Sequence, residues 1–295
     1  MSNPIRSWLF VPADSQKKLD KAGGLGADAL ILDLEDAVLP NNKPTARHMA
    51  ADYLKTANTR SQIWVRINPL DSSFWRDDLQ AVIPHQPAGI VLPKPDGPVD
   101  METLGEAIDH LERKHNLPPR QIKTLPVATE TARAVFSLPM YAKTYLPRLL
   151  GLSWGAEDLA TDLGAATNKD ENGEFAFVYK MVRAQTLLAA KAANVQAIDT
   201  LYDNFRDMDG LKDRALRAYQ EGFTGMLAIH PAQIDIINQG FTPSAEQIAH
   251  ARAIIKAFAD NPEAGAVAVN GKMADMPHLK QAQNIYSAAK AFGLV

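Results

Sequence analysis

The chain has 295 residues, 46% of them hydrophobic and 22% charged, which is enough apolar side chain to bury a full core in one large α/β domain. A formal net charge of −3 without long single-sign runs leaves no basic footprint for nucleic acid, and no basic amphipathic stretch suits a membrane surface, so the expected partners are small molecules. The absence of cysteine excludes disulfides, thiolate metal sites and thiol nucleophiles.

The opening MSNPIRSWLF holds no apolar signal-peptide region and runs almost directly into a strand-like stretch. No apolar run approaches ~18 residues, so the expected compartment is the cytoplasm. Short β-rich apolar runs then alternate with stretches rich in Ala, Leu, Lys, Arg and Glu. Strands are predicted at 8–11, 29–34, 63–67, 89–92, 123–128, 149–154, 196–201 and 225–229, with helices at 45–54, 101–114, 179–193 and 211–219. Alternation of this kind builds a parallel sheet with crossover helices, and eight units read as a (β/α)8 TIM barrel over 1–240. A doubly wound sheet is the alternative, but no Gly-rich phosphate loop follows the first strand. The tail from Gly265 holds a strand-like piece, a turn at Gly271 and a helix after Pro277, and 241–295 is read as a C-terminal extension.

Ionisable residues recur where the predicted strands end: Glu35 and Asp36, Arg66 with Asn68, Lys94, Glu130, Glu157 with Asp158, Asp199 with Asp203, and His230. A barrel gathers these ends on one face, where active sites of the fold are built. Each residue also has a plainer reading as a helix cap or a solvated loop charge. Arg66 and Glu130 sit in WVRINP and VATETA, apolar settings in which an unpaired charge is costly. Glu130 and Asp158 suit Mg2+, which takes one or two protein carboxylates and completes its shell with water and substrate oxygens; Glu157 is expected to point away. Arg66 is either a fork for a substrate carboxylate or enolate or half of a buried ion pair with Glu35 or Asp36. Lys94 is either a Schiff-base amine or a phosphate-facing group, and His230 caps the next helix or lines the pocket.

These residues lie within phrases that resemble the citrate lyase β-subunit-like (CitE-like) branch of the HpcH/HpaI aldolase family. The phrases are RSWLFVPA from Arg6, ADALILDLEDAV from Ala27, WVRIN from Trp64, IVLPKP from Ile90, ATETA from Ala128, WGAEDLATDLGA from Trp154, AIHPAQI from Ala228, FTPS from Phe241 and NGKMADMP from Asn270. They cover nearly the whole chain in one order. The resemblance implies a TIM barrel assembled as a homotrimer or dimer of trimers, and a Mg2+-dependent lyase that splits a 3-hydroxyacyl-CoA thioester into acetyl-CoA and a 2-oxoacid. By the same resemblance Glu130 and Asp158 hold the metal, Arg66 contacts the oxoacid, and Glu35 and Asp36 support the metal's water shell. Coenzyme A is expected against Arg6, Lys17, Lys94 and His230, and Asp275 in the tail is expected to reach a neighbouring subunit's site. A thioesterase or malate synthase-like reaction on the same site, and a carrier-protein-dependent citrate lyase subunit, are the alternatives. Three departures stand out: Asn270 where many relatives have Asp, Ala274 in place of a bulkier aliphatic residue, and Arg133 close behind Glu130.

Overall fold

A computed structural model describes residues 4–295, so the first three residues of MSNPIRSWLF lie outside the described residues. The chain divides into two compact units, one spanning 5–238 and the other containing 239–295. In chain order the first unit runs β1 (Ser7–Pro12), α1 (Gln16–Ala22), β2 (Ala29–Asp33), α2 (Lys43–Thr56), β3 (Gln62–Arg66), α3 (Trp75–Val82), β4 (Gly89–Leu92), α4 (Pro98–Lys114), β5 (Lys123–Pro126), α5 (Ala132–Ser137), β6 (Gly151–Ser153), α6 (Ala156–Asp162), α7 (Phe177–Ala192), β7 (Gln196–Asp199), α8 (Met208–Glu221) and β8 (Gly225–Ala228). The helix α9 (Ile234–Gly240) follows.

All eight strands pair in parallel in the order β5-β4-β3-β2-β1-β8-β7-β6. The open ends of that list, β5 and β6, are joined by parallel bridges at Thr124–Leu149 and Val127–Ser153, so the sheet curls into a (β/α)8 TIM barrel. Strands covered on both faces need no polar alternation, and β2, β4 and β8 are buried at every position.

Inward-pointing residues fill the barrel in layers. Trp8, Ile31, Trp64, Val91, Leu125, Ile198 and Leu227 belong to one buried cluster, against which Phe10 and Leu201 pack. The indoles of Trp8 and Trp64 meet edge to face with centroids 4.9 Å apart, a geometry worth about 0.5–1.5 kcal/mol beyond simple burial. Gly89 makes room for them, since a Cβ there would lie 2.2 Å from Cζ3 of Trp64. Above this apolar plug the same inward rows end in Asp33 on β2 and Arg66 on β3, directly paired across the two strands.

The second unit has its own core. The helices α10 (Ala245–Asp260) and α11 (Met276–Ala291) pack with a hairpin of β9 (Ala266–Val269) and β10 (Lys272–Asp275) through Ile254, Phe258, Val267, Val269 and Ala282. A capping box of Ser244 and Gln247 starts α10. The hairpin turns on Asn270 and Gly271, both left-handed with φ of 50° and 75°. Asn-Gly is one of the pairs that such a two-residue turn favours.

Candidate active site

The strand ends open into a cavity of 840 Å³, lined among others by Phe10, Asp33, Arg66, Glu130, Trp154 and Asp158. Its floor is apolar because Phe10, Val127, Leu201 and Leu227 cap the barrel's packed interior. Small-molecule sites commonly combine such a wall with a few convergent polar groups.

Asp33 organises one side. Arg66 donates from Nε and Nη2 to its two carboxylate oxygens at 2.7 Å each, a forked pair that fixes the guanidinium plane. The backbone N–H groups of Glu35 and Ala37 donate to the same carboxylate at 3.0 and 3.2 Å, folding the LDLED segment around it. Arg66 also lies 3.0 Å from Glu35 and 3.7 Å from Asp36, and its guanidinium stacks over the Phe10 ring at 4.6 Å. Burial alone would lower the Arg66 pKa, but Asp33 and its hydrogen bonds outweigh that, so the group stays charged.

Glu130 and Asp158 occupy another side. Glu130 follows β5 and is 4% exposed; Asp158 lies in the first turn of α6, where a helix N-terminus favours an acid. Burial first, and then the charge of Asp158, push the Glu130 carboxyl well above its ordinary value. The two carboxylates form a hard-oxygen donor set whose mutual repulsion a divalent cation relieves. Among the described residues no group of three or more acidic or histidine side chains forms a closed metal cage. Two carboxylate donors with the remaining positions left to water and substrate oxygens is a pattern that Mg2+ takes.

Behind these groups sits Lys94, with φ +52°. Its amide donates to Glu130 Oε2 at 2.5 Å, and its ammonium reaches Glu35 at 2.5 Å and Asp158 at 3.2 Å. Burial opposes its charge, but Glu35 and the hydrogen bond to it hold the Lys94 pKa above its ordinary value. A Schiff-base lysine needs the opposite shift.

Not every predicted residue reaches the cavity. Arg6 precedes β1, at the other end of the barrel, and is bound to Asp28 by its backbone N–H and two guanidinium nitrogens at 2.8–2.9 Å. Asn68 serves Asp78 and the Leu34 carbonyl, and Asp203 pairs at 3.7 Å with Lys169. Asp199 is fully buried and accepts from Trp154, Arg183 and Arg214, tying together β7, α7 and α8. Glu157 lines the cavity but accepts from Asn168 at 2.8 Å, while Arg133 is exposed and pairs with Asp96. His230 does both of the things expected of it, lining the cavity and accepting from the Ala232 N–H as a helix cap.

Lys17 lines the cavity, joined by Lys18 and Lys21, which lie away from the strand ends but which QKKLDK puts together as three ammonium groups on one short helix. Asp33 escapes the strand-end pattern as well, because it stands inside a predicted strand. In the second unit Asp275 caps α11, and the His278 ring lies 2.5 Å from its carboxylate, a hydrogen bond that holds the Asp275 pKa below its ordinary value.

Residues 6–231 match the family described as HpcH/HpaI aldolase/citrate lyase. The mitochondrial citramalyl-CoA lyase of Rattus norvegicus is 34% identical over 97% of this chain and 86% of its own length. The (3S)-malyl-CoA thioesterase of Cereibacter sphaeroides is 33% identical over 98% of this chain and 96% of its own. A crystal structure of the CitE protein of Mycobacterium tuberculosis, in complex with magnesium, acetoacetate and coenzyme A, superimposes with a TM-score of 0.78 at 32% identity, covering 97% of this chain and 98% of that one.

Proposed function

The chain belongs to the HpcH/HpaI aldolase/citrate lyase family, and from that premise we propose a Mg2+-dependent carbon–carbon lyase that cleaves a short 3-hydroxyacyl-CoA to acetyl-CoA and a 2-oxoacid. Citramalyl-, malyl- and citryl-CoA are the substrate candidates. The observation that carries this reading is one cavity lined by two neighbouring acids, Glu130 and Asp158, and by an arginine locked in orientation, Arg66.

Glu130 and Asp158 are the residues assigned to Mg2+, whose contribution when bound is Lewis-acid activation of the substrate's hydroxyl and carboxylate. The bond that breaks joins the carbinol carbon to the carbon next to the thioester. The hydroxyl proton passes to solvent water, the carbinol carbon becomes the oxoacid carbonyl, and the electron pair of the broken carbon–carbon bond passes to the thioester α-carbon. Arg66, held by Asp33, stabilises the negative charge that develops there, and needs no reorganisation at that moment. The α-carbon then takes up a proton and becomes the acetyl methyl group. Asp275 of a second copy, in a trimer or dimer of trimers, is assigned to that transfer, a step of the kind that contributes roughly 10²–10⁴-fold. Lys17, Lys18, Lys21 and His230 are assigned to the phosphates of coenzyme A.

A thioesterase reading is supported by the nearly equal likeness to the (3S)-malyl-CoA thioesterase, and differs in that water attacks the thioester. One assay separates the two. The purified chain, given each of the three esters with Mg2+, should release a 2-oxoacid and acetyl-CoA and stop when metal is chelated. Release of free CoA and the intact hydroxyacid would mark the thioesterase, and turnover persisting in excess chelator would overturn the metal reading.

A further inference from the structure

Lys94 touches both of the acids assigned to the metal and, in the LDLED segment, Glu35 and Asp36. It lies between two prolines, in a left-handed conformation that an L-residue rarely adopts and that a following proline further disfavours. That conformation sends the backbone N–H to Glu130 and the side chain, in another direction, to Glu35 at 2.5 Å, Asp158 at 3.2 Å and Asp36 at 3.7 Å. Five carboxylates, Asp33, Glu35, Asp36, Glu130 and Asp158, gather here; among the described residues Arg66 and Lys94 are the cations in ion-pair contact with them, while buried Lys43 donates to the Leu34 and Glu35 carbonyls nearby. Arg66 is committed to Asp33 and Glu35, which leaves Lys94 as the cation paired with Asp158 among the described residues.

We propose that Lys94 is a built-in counter-cation for the metal site: its ammonium neutralises Asp158 in the metal-free chain and withdraws toward Glu35 and Asp36 when a divalent ion binds. The proposal rests on the assignment of Glu130 and Asp158 to Mg2+. A lysine suits the task because its point charge rides on a flexible stem, whereas an arginine fork would stay locked to one carboxylate. It also gives Glu35 and Asp36 a role, as the acceptors that receive the displaced charge. The amide of Lys94 keeps hold of Glu130 throughout, so one residue positions one ligand and releases the other.

The counter-cation competes with the metal, so its removal should tighten metal binding, whereas a residue that merely scaffolds the site would weaken binding when removed. The test is calorimetric titration of Mg2+ into metal-stripped full-length protein, comparing wild type, Lys94→Met and Glu130→Gln, with thermal midpoints measured alongside. Lys94→Met should bind Mg2+ about tenfold more tightly, the order expected on deleting a unit charge a few Å away in a partly solvated cavity. Its metal-free melting midpoint should fall below that of wild type, and saturating Mg2+ should close most of the gap. Lys94→Gln, which keeps a hydrogen-bond donor for Glu35, serves as the second neutral variant if the methionine chain does not fold. Equal or weaker Mg2+ affinity in a folded neutral variant overturns the proposal. Wild type that binds no Mg2+, or Glu130→Gln that binds it as wild type does, overturns the metal assignment itself and this proposal with it.

Discussion

At Gly155 one methyl group decides where Glu130 can lie. A Cβ there would stand 2.7 Å from Glu130 Cγ and 3.2 Å from Oε1, while the backbone φ of −117° suits any residue. Gly155→Ala should therefore leave folding intact yet displace a metal ligand, lowering kcat/KM by about 10²-fold, the scale of an ångström-sized misplacement. Steady-state kinetics with circular dichroism as a control measures it; wild-type kinetics would show that Glu130 needs no such fixed position. The same residue scale shows what the sequence conceals. Arg66 was expected to reach substrate or to pair with Glu35 or Asp36, and its principal partner proves to be Asp33. Asp33 and Arg66 are neighbours only because β2 and β3 pair in a register that sets them side by side, and register is a property of two strands that neither reveals alone. Glu130 and Asp158, by contrast, could be read from the sequence as cavity-lining candidates, because charges shortly after apolar strands gather on one face of any barrel.

Among the elements, the eight strands were legible from their apolar runs, since both faces of each are covered. Their limits were less so: 149–154 was read as a strand, whereas β6 spans only Gly151–Ser153 and meets β5 through isolated bridges. The helix α10 escaped notice even though Ser244 and Gln247 offered a capping signal, and the strand β10 was hidden by its short, mixed sequence. Asp199 ends β7 and was counted with the strand-end charges, but it acts as a clamp between elements. Burial alone would raise its pKa; Arg214, Arg183 and the Trp154 indole outweigh that and hold it below the ordinary 3.8. A depressed carboxyl contributes stability above its unfolded value, which is lost as pH falls through the folded one. Asp199→Asn should cost about 3 kcal/mol at neutral pH, the penalty of leaving a buried arginine short of its partner, and should flatten the acid side of the stability curve below pH 3.8. Urea unfolding at several pH values checks both; an unchanged midpoint would mean that Asp199 is dispensable.

For the whole molecule, residues 239–295 belong to a compact unit of their own, and the assignment of Asp275 to a second copy's site is tested by mixing chains. Chains carrying Arg66→Ala and chains carrying Asp275→Ala should each be inactive and should regain activity when refolded together, because a mixed oligomer then holds some intact sites. Verified mixed oligomers that stay inactive would remove Asp275 from the chemistry. The barrel's closure imposes an order on its making. β1 pairs with β2 on one side and with β8 on the other, so its second edge has no partner until Gly225–Ala228 has been synthesised, roughly 200 residues later. At roughly 5–20 residues per second that interval is about 10–40 s. Throughout it the backbone edge of SWLFVP stays open to pairing with any other strand, so the nascent chain is exposed to edge-to-edge misassociation until its last barrel strand emerges.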